Sequence, residues 1–332
     1  MSTGHADLID DRPDSLLLAP LRLLIHHCRV LGYIPLLTWC MVRRPRRTLA
    51  GIAGYVAVLQ SKTWRDAVRA MLAMGSSRRP RLLRAQTVPY DPNKRYLLAA
   101  HPHGILNYGW WNLICRYGLG LVDGLQLIMC VAPAAQFYPL FRELFDAEDS
   151  GRHRMTDARK ETLQEILRSS KLTPAIIPGG FSEATYTSAD PNVEHAYIKD
   201  RIGFVRLAIE AGVDIIPAYS YGLNDMYATL EWQRHRRAVF AQKWGLPTVL
   251  WTGPYLLGNV PFTENITVVT FDPFPASSYK IEQAEQAHAD YMVYLEQCFE
   301  SRKHECGAGH KRLEFVSKLE PPAATAQIQS KL

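Results

Sequence analysis

Hydrophobic and polar positions follow two regimes along this chain. Over the first sixty positions the apolar residues crowd together: Ser15-Leu16-Leu17-Leu18-Ala19-Pro20 opens the region, and two apolar stretches, Leu31–Val42 and Leu49–Leu59, are divided by Arg43-Arg44-Pro45-Arg46-Arg47. Each stretch is shorter than the ~20 residues one spanning helix needs, so shallow embedding fits better than two full crossings. Arginine at their flanks suits a membrane anchor. From Trp64 onward the pattern becomes short apolar runs alternating with helical periodicity.

That second regime predicts an amphipathic helix through Trp64, Val68, Met71 and Leu72 and then a basic linker to residue 90. Strand Arg95–His101, a helix over 105–117, strand Leu125–Val131 and helix Phe137–Phe145 follow. Thr156 and Asp157 suit the cap of a helix that places Leu163, Ile166 and Leu167 at i, i+3 and i+4, and strand Ala175–Ile177 comes next. Helix Gly203–Glu210, closed by Gly212, leads into strand Asp214–Tyr219. Residues 220–264, dense in glycine and proline, give no assignable element. Thr267–Phe271 resumes as a strand, and a long helix from Ile281 aligns Ile281, Ala284, His288, Tyr291, Leu295 and Cys298 on one face. Such repetition with short connections predicts an α/β fold: a largely parallel sheet flanked by helices, with an N-terminal apolar membrane-embedded helical segment. The expected division is 1–62 for the tail and membrane-embedding segment, 63–318 for the main domain and 319–332 for a disordered tail.

Composition changes this picture little. A hydrophobic fraction of 47% is ordinary, so the uneven distribution carries the membrane signal. The net charge of +6 is modest, and the arginines cluster at 43–47, at 78–84 and at 234–237. Such clusters suit anionic headgroups or a phosphate-bearing cosubstrate, whereas nucleic acid usually asks for a more basic domain with a recognisable module. Six cysteines without a CxxC pair read as reduced thiols.

Two strand ends carry candidate chemistry. The apolar run Leu97–Ala100 delivers His101-Pro102-His103-Gly104, and Ala175-Ile176-Ile177 delivers Pro178-Gly179-Gly180-Phe181-Ser182-Glu183. Parallel sheets hold ligands at the carboxyl ends of their strands. A histidine there suits general base catalysis, because its unperturbed pKa lies near neutrality, and Gly104 allows close approach. A base histidine needs support for its tautomer and positive charge, and Glu183 is the best candidate, with Gly179 and Gly180 offering a tight turn and backbone N–H groups to an oxyanion. His101-x-His103 has no third ligand at a diagnostic spacing, so no metal is expected. A rival reading takes Gly180-Phe181-Ser182-Glu183-Ala184 as the nucleophile elbow of a serine lipase or esterase; against it, Thr185–Pro191 is a poor helix start.

These motifs, with Arg201-x-Gly203-Phe204-Val205-Arg206-Leu207-Ala208, Ile216-Pro217-x-Tyr219-Ser220-Tyr221-Gly222 and the C-terminal His288, Tyr291, Met292, Leu295, Phe299 and Lys303, resemble the diacylglycerol acyltransferase 2 family. That family includes monoacylglycerol and wax-alcohol acyltransferases. The resemblance, from about Trp64 to Val316, implies an acyltransferase domain in an endoplasmic-reticulum membrane enzyme facing the cytosol, with lipid droplets as a second location. It implies transfer of a fatty acyl group from acyl-CoA to a lipid hydroxyl, most readily diacylglycerol, with acyl-CoA as cosubstrate and no cofactor. His103 is then the base, with Glu183 and His101 beside it. Pro102, Gly104, Gly179, Gly180, Arg201, Arg206 and Asn224 are the expected substrate-binding set. Membrane lipids and the lipid alcohol are the expected partners, and self-association is compatible with the sequence. Ile202 and Leu223 depart from the lysine and glutamate usual in the family, as does the segment 146–154.

Overall fold

In the computed structural model of the protein, residues 42–47, 49–51, 54, 81–105, 110, 119–122, 124–133, 155–169, 171–187, 192–229, 233–244, 249–252, 262 and 265–317 are described. Their order begins β1 (Arg81–Arg84), β2 (Tyr96–His101), β3 (Leu119–Val122), β4 (Leu125–Val131), β5 (Met155–Asp157), α1 (Lys160–Ser169), β6 (Leu172–Ile176) and α2 (Gly180–Tyr186). It continues β7 (Val193–Ala196), α3 (Gly203–Ala211), β8 (Asp214–Tyr221), β9 (Ala228–Thr229), α4 (Arg234–Trp244), β10 (Trp251–Thr252) and β11 (Thr267–Thr270). Two 3-10 turns, Ala276–Ser278 and Ile281–Gln283, then lead to α5 (Ala284–Arg302) and β12 (Arg312–Phe315).

The main sheet has eight strands in the order β1-β11-β8-β2-β6-β4-β3, with β5 on β4. Its centre, β8-β2-β6-β4, is parallel. All six residues of β2 are buried, as suits a strand covered on both faces. The period of two then sorts its side chains. Leu97 and Ala99 join Ile215 and Tyr219 of β8 under α1, α3 and α5. Tyr96, Leu98 and Ala100 join Ile216, Ala218, Trp110 and Met226 on the other face.

Several boundaries differ from the sequence reading. The expected basic linker contains β1, paired in parallel with β11. β11 runs antiparallel to β8, and β3 antiparallel to β4, so the sheet is largely parallel, as expected, with two antiparallel pairings. Thr156 and Asp157 end β5, although Asp157 Oδ1 still accepts the Arg159 N–H at 3.0 Å and the Thr162 hydroxyl at 2.8 Å just ahead of α1. The unassigned stretch 220–264 contains β9, α4 and β10. Ile281 sits in a 3-10 turn and is 43% exposed, while the other five residues expected on that face are buried. α3 ends as expected at Gly212, left-handed at φ 64°.

The helices expected over 105–117, at Phe137–Phe145 and through Trp64, and the tail after 319, lie mainly outside the described residues. So do most of Leu31–Val42 and Leu49–Leu59. Of the anchor region, residues 42–47, 49–51 and 54 are described, and all are exposed. Among the described residues no helix is long and apolar enough to cross a membrane.

Candidate active site

β2 and β6 are neighbours in register, Leu98 beside Ala175 and Ala99 beside Ile176. Their carboxyl ends therefore open side by side, and the two motifs seen in the sequence face each other across that edge. β6 passes through Pro178 and Gly179 into α2, which places Glu183 in its first turn.

Glu183 is 2% exposed and joins three segments. Its Oε2 accepts the main-chain N–H of His103 at 2.6 Å, and its Oε1 accepts the main-chain N–H of Tyr197 at 2.9 Å. A Cβ on Gly179 would lie 1.9 Å from the Glu183 Cδ, so the carboxyl fills the space that only glycine leaves open. Burial pushes the Glu183 carboxyl up to about 7, against the pull of the two N–H groups and the nearby Arg201 charge.

This arrangement corrects the role expected for Glu183. The carboxyl grips the main chain of His103, and the imidazole is oriented by another group: His103 Nδ1 lies 2.6 Å from the carbonyl oxygen of Gly104. A carbonyl only accepts, so Nδ1 carries the proton and Nε2 keeps its lone pair. Burial lowers the His103 pKa, opposed by that carbonyl, which favours the neutral ring a base requires. Gly104 adopts φ 64°, and a Cβ there would lie 2.6 Å from Leu223 Cγ. Leu223, the departure from the family's glutamate, thus forms an apolar wall against the histidine loop.

His101 is placed elsewhere. It is fully buried, and its Nε2 meets the Tyr291 hydroxyl of α5 at 2.9 Å. Burial takes its pKa down to about 3. A ring so enclosed props β2 against α5. Pro102, joined to His101 by a cis peptide, is buried, and its carbonyl accepts the Trp110 indole N–H at 2.7 Å.

The remaining candidates separate. Arg201 lies close enough to Glu183 to lower its pKa, and its Nε is buried without a hydrogen-bond partner among the described residues. Arg206 is exposed on α3. The Gly180 N–H donates to the Ile177 carbonyl at 3.2 Å, which removes it from the expected oxyanion donors. Ser182 lies inside α2 and is 1% exposed, a poor position for a nucleophile. Contrary to the sequence reading, a helix does follow the Gly179-Gly180 turn. It begins at Gly180 and ends at Tyr186, ahead of most of the residues that read as a poor start.

Asn224 belongs to a second cluster, built on a buried Glu194–Lys311 pair, that sequence reasoning missed. Its amide nitrogen donates to Glu194 Oε2, Lys311 Nζ lies 2.7 Å from Glu194 Oε1, and the same ammonium lies 2.6 Å from Asp225 Oδ1. Burial would lower the Lys311 pKa, and the two carboxylates overcome this and raise it. The pair sits where β7 and β12 run in parallel, with Leu313 beside Glu194. β7 leads directly to Tyr197, so the cluster anchors the strand that supplies one N–H to Glu183. Nothing local in Val193-Glu194-His195-Ala196 signals a partner 117 residues away. Among the described residues no group of three or more histidine, cysteine or acidic side chains is arranged to hold a metal ion.

Comparison with known proteins adds an independent line. Residues 78–316 match the family model described as diacylglycerol acyltransferase. The chain is 30% identical over 243 residues to 2-acylglycerol O-acyltransferase 3 of Homo sapiens, covering 67% of this chain and 68% of that protein. It is 28% identical to 2-acylglycerol O-acyltransferase 1 of Mus musculus, covering 69% of this chain and 72% of that one. Diacylglycerol O-acyltransferase 2A of Umbelopsis ramanniana is 26% identical, with 68% of this chain and 67% of that protein covered. No solved structure matches the chain significantly.

Proposed function

Because the chain belongs to the diacylglycerol acyltransferase family, we propose that it is a membrane-bound O-acyltransferase that moves a fatty acyl group from acyl-CoA to the hydroxyl of diacylglycerol, giving triacylglycerol. One observation carries the mechanism: His103 has its Nδ1 proton directed to the Gly104 carbonyl while Glu183 holds its main chain. The free Nε2 takes the proton of the acceptor hydroxyl as its oxygen attacks the thioester carbonyl. The tetrahedral intermediate then collapses, the C–S bond breaks, and the Nε2 proton passes to the departing thiolate to give free coenzyme A. General base catalysis of this kind contributes about 10²–10⁴-fold.

Arg201 is the cation nearest this centre among the expected binding residues, and its buried Nε suits an oxyanion or a coenzyme A phosphate. Arg206, exposed one turn along, suits the outer phosphates. Monoacylglycerol as acceptor is the second reading, favoured by the two relatives named 2-acylglycerol O-acyltransferases. We place the enzyme in the endoplasmic-reticulum membrane with its site towards the cytosol, held by the apolar N-terminal region.

The deciding experiment offers labelled long-chain acyl-CoA to the reconstituted chain with diacylglycerol, monoacylglycerol, fatty alcohol, sterol or water. An ester of one lipid alcohol is expected, reduced at least about 100-fold by His103→Ala and retained by Ser182→Ala. Hydrolysis alone, dependent on Ser182, would reject acyl transfer.

A further inference from the structure

The Lys311 ammonium reaches the histidine loop by two routes. On one side it lies 2.7 Å from Glu194 Oε1 on β7, and β7 runs on to Tyr197, whose main-chain N–H shares the Glu183 carboxyl with that of His103. On the other side it lies 2.6 and 2.7 Å from the two carboxylate oxygens of Asp225. Asp225 belongs to the turn that leaves β8 and donates its N–H to the Gly222 carbonyl at 3.2 Å. That turn carries Leu223, buried against Gly104, and the Gly104 carbonyl is the group that accepts the His103 Nδ1 proton. One cation therefore stands behind both constraints on the base: the hold on its main chain and the carbonyl that sets its tautomer.

Strand pairing alone does not account for this cation. β7 and β12 already pair in parallel from Arg312 and Val193 to Phe315 and Ala196, and burying a charge is costly unless its partners are in place. What the ammonium adds is a joint between β7, the turn after β8 and the loop entering β12. The joint has a firm footing, since the Lys311 carbonyl accepts Lys303 Nζ from the end of α5 at 2.9 Å and the Lys311 N–H donates to the Ala308 carbonyl at 2.9 Å. Asn224 adds a second tie from the same turn to Glu194 Oε2. We propose that Lys311 is a positioning residue for acyl transfer, holding His103 in line with the acceptor hydroxyl through Tyr197 and Glu183 on one side and through Leu223 and Gly104 on the other. This rests on His103 being the base.

The test compares the full chain with two variants in reconstituted bilayers. Glu194→Gln combined with Lys311→Met removes both buried charges together and leaves no lone ion, whereas Asp225→Ala cuts the exposed arm and keeps the buried pair. Amide hydrogen exchange at His103 and Tyr197 should rise in the double variant while Leu98 and Ala99 of β2 stay protected. Its kcat should fall by about tenfold or more, with the KM for acyl-CoA changed by less than about twofold. Asp225→Ala should move both readouts in the same direction by less. A pair that only locks strands predicts faster exchange confined to β7 and β12, and full kcat wherever the chain is folded. Unchanged exchange at His103 in the double variant overturns the proposal, and so does full kcat. If the double variant does not fold, unchanged exchange at His103 in Asp225→Ala overturns it instead. Exchange involves no turnover, so a chain that transfers no acyl group rejects the proposed function while exchange still decides whether Lys311 positions His103.

Discussion

Two buried glutamates near the carboxyl edge of the sheet are satisfied in opposite ways. Glu194 meets a lysine and an asparagine, so its charge is neutralised by another side chain. Glu183 meets two main-chain N–H groups, and Arg201 acts on it only as a nearby charge. The first arrangement locks strands together. The second leaves a carboxyl poised near neutrality, positioning the backbone of the histidine proposed as the base.

The largest expected effect tests the first half of that contrast. Lys311→Met leaves Glu194 buried without its cation and should cost about 3–5 kcal/mol of stability, read by chemical or thermal unfolding in detergent. An effect under about 1 kcal/mol would show that the pair contributes nothing to holding β7 against β12.

Next comes the pH dependence of Glu183. Its folded pKa is about 7, against 4.5 for an unperturbed glutamate. Between those values the folded chain holds a proton that the unfolded chain has lost. Stability therefore falls as pH rises through this window and levels off above it, by up to ~3 kcal/mol. Glu183→Gln should flatten that slope while lowering turnover, because an amide cannot accept both N–H groups. An unchanged slope would assign the pH dependence to another group.

A smaller change sharpens the geometry. Gly179→Ala drives a methyl into the carboxyl of Glu183, and the resulting shift of His103 should reduce acyl transfer by about 100-fold. Retained activity would mean that Glu183 does not set the position of the base. Smallest of all, Arg206→Ala should change stability by less than about 0.5 kcal/mol, as its exposure on α3 dictates. Its effect on the Michaelis constant for acyl-CoA then reports phosphate contact alone.

The strand ends were legible because an apolar run terminating in histidine or paired glycine reads as the open edge of a parallel sheet. Pairing Glu183 with the histidine motif was legible too, but the atom it serves was not. Sequence gives residue types at two strand ends and leaves open whether a carboxyl meets a ring or a main chain. β1 escaped notice because four residues flanked by arginine carry no periodicity, and its strand character comes from β11, far along the chain. Helix α2 was hidden because its seven residues hold two glycine-adjacent positions and end before a cap signal appears. The cluster of Glu194, Asp225 and Lys311 is a product of tertiary contact alone.

The grip of Glu183 on His103 and Tyr197 also sets an order on biosynthesis. A ribosome releases His103 80 residues before the carboxyl that holds its main chain, and Lys311, which braces β7, follows Glu194 by 117 residues. A nascent chain thus carries the histidine without the carboxyl that fixes its main chain. The complete arrangement forms only once the chain through Lys311 has been made.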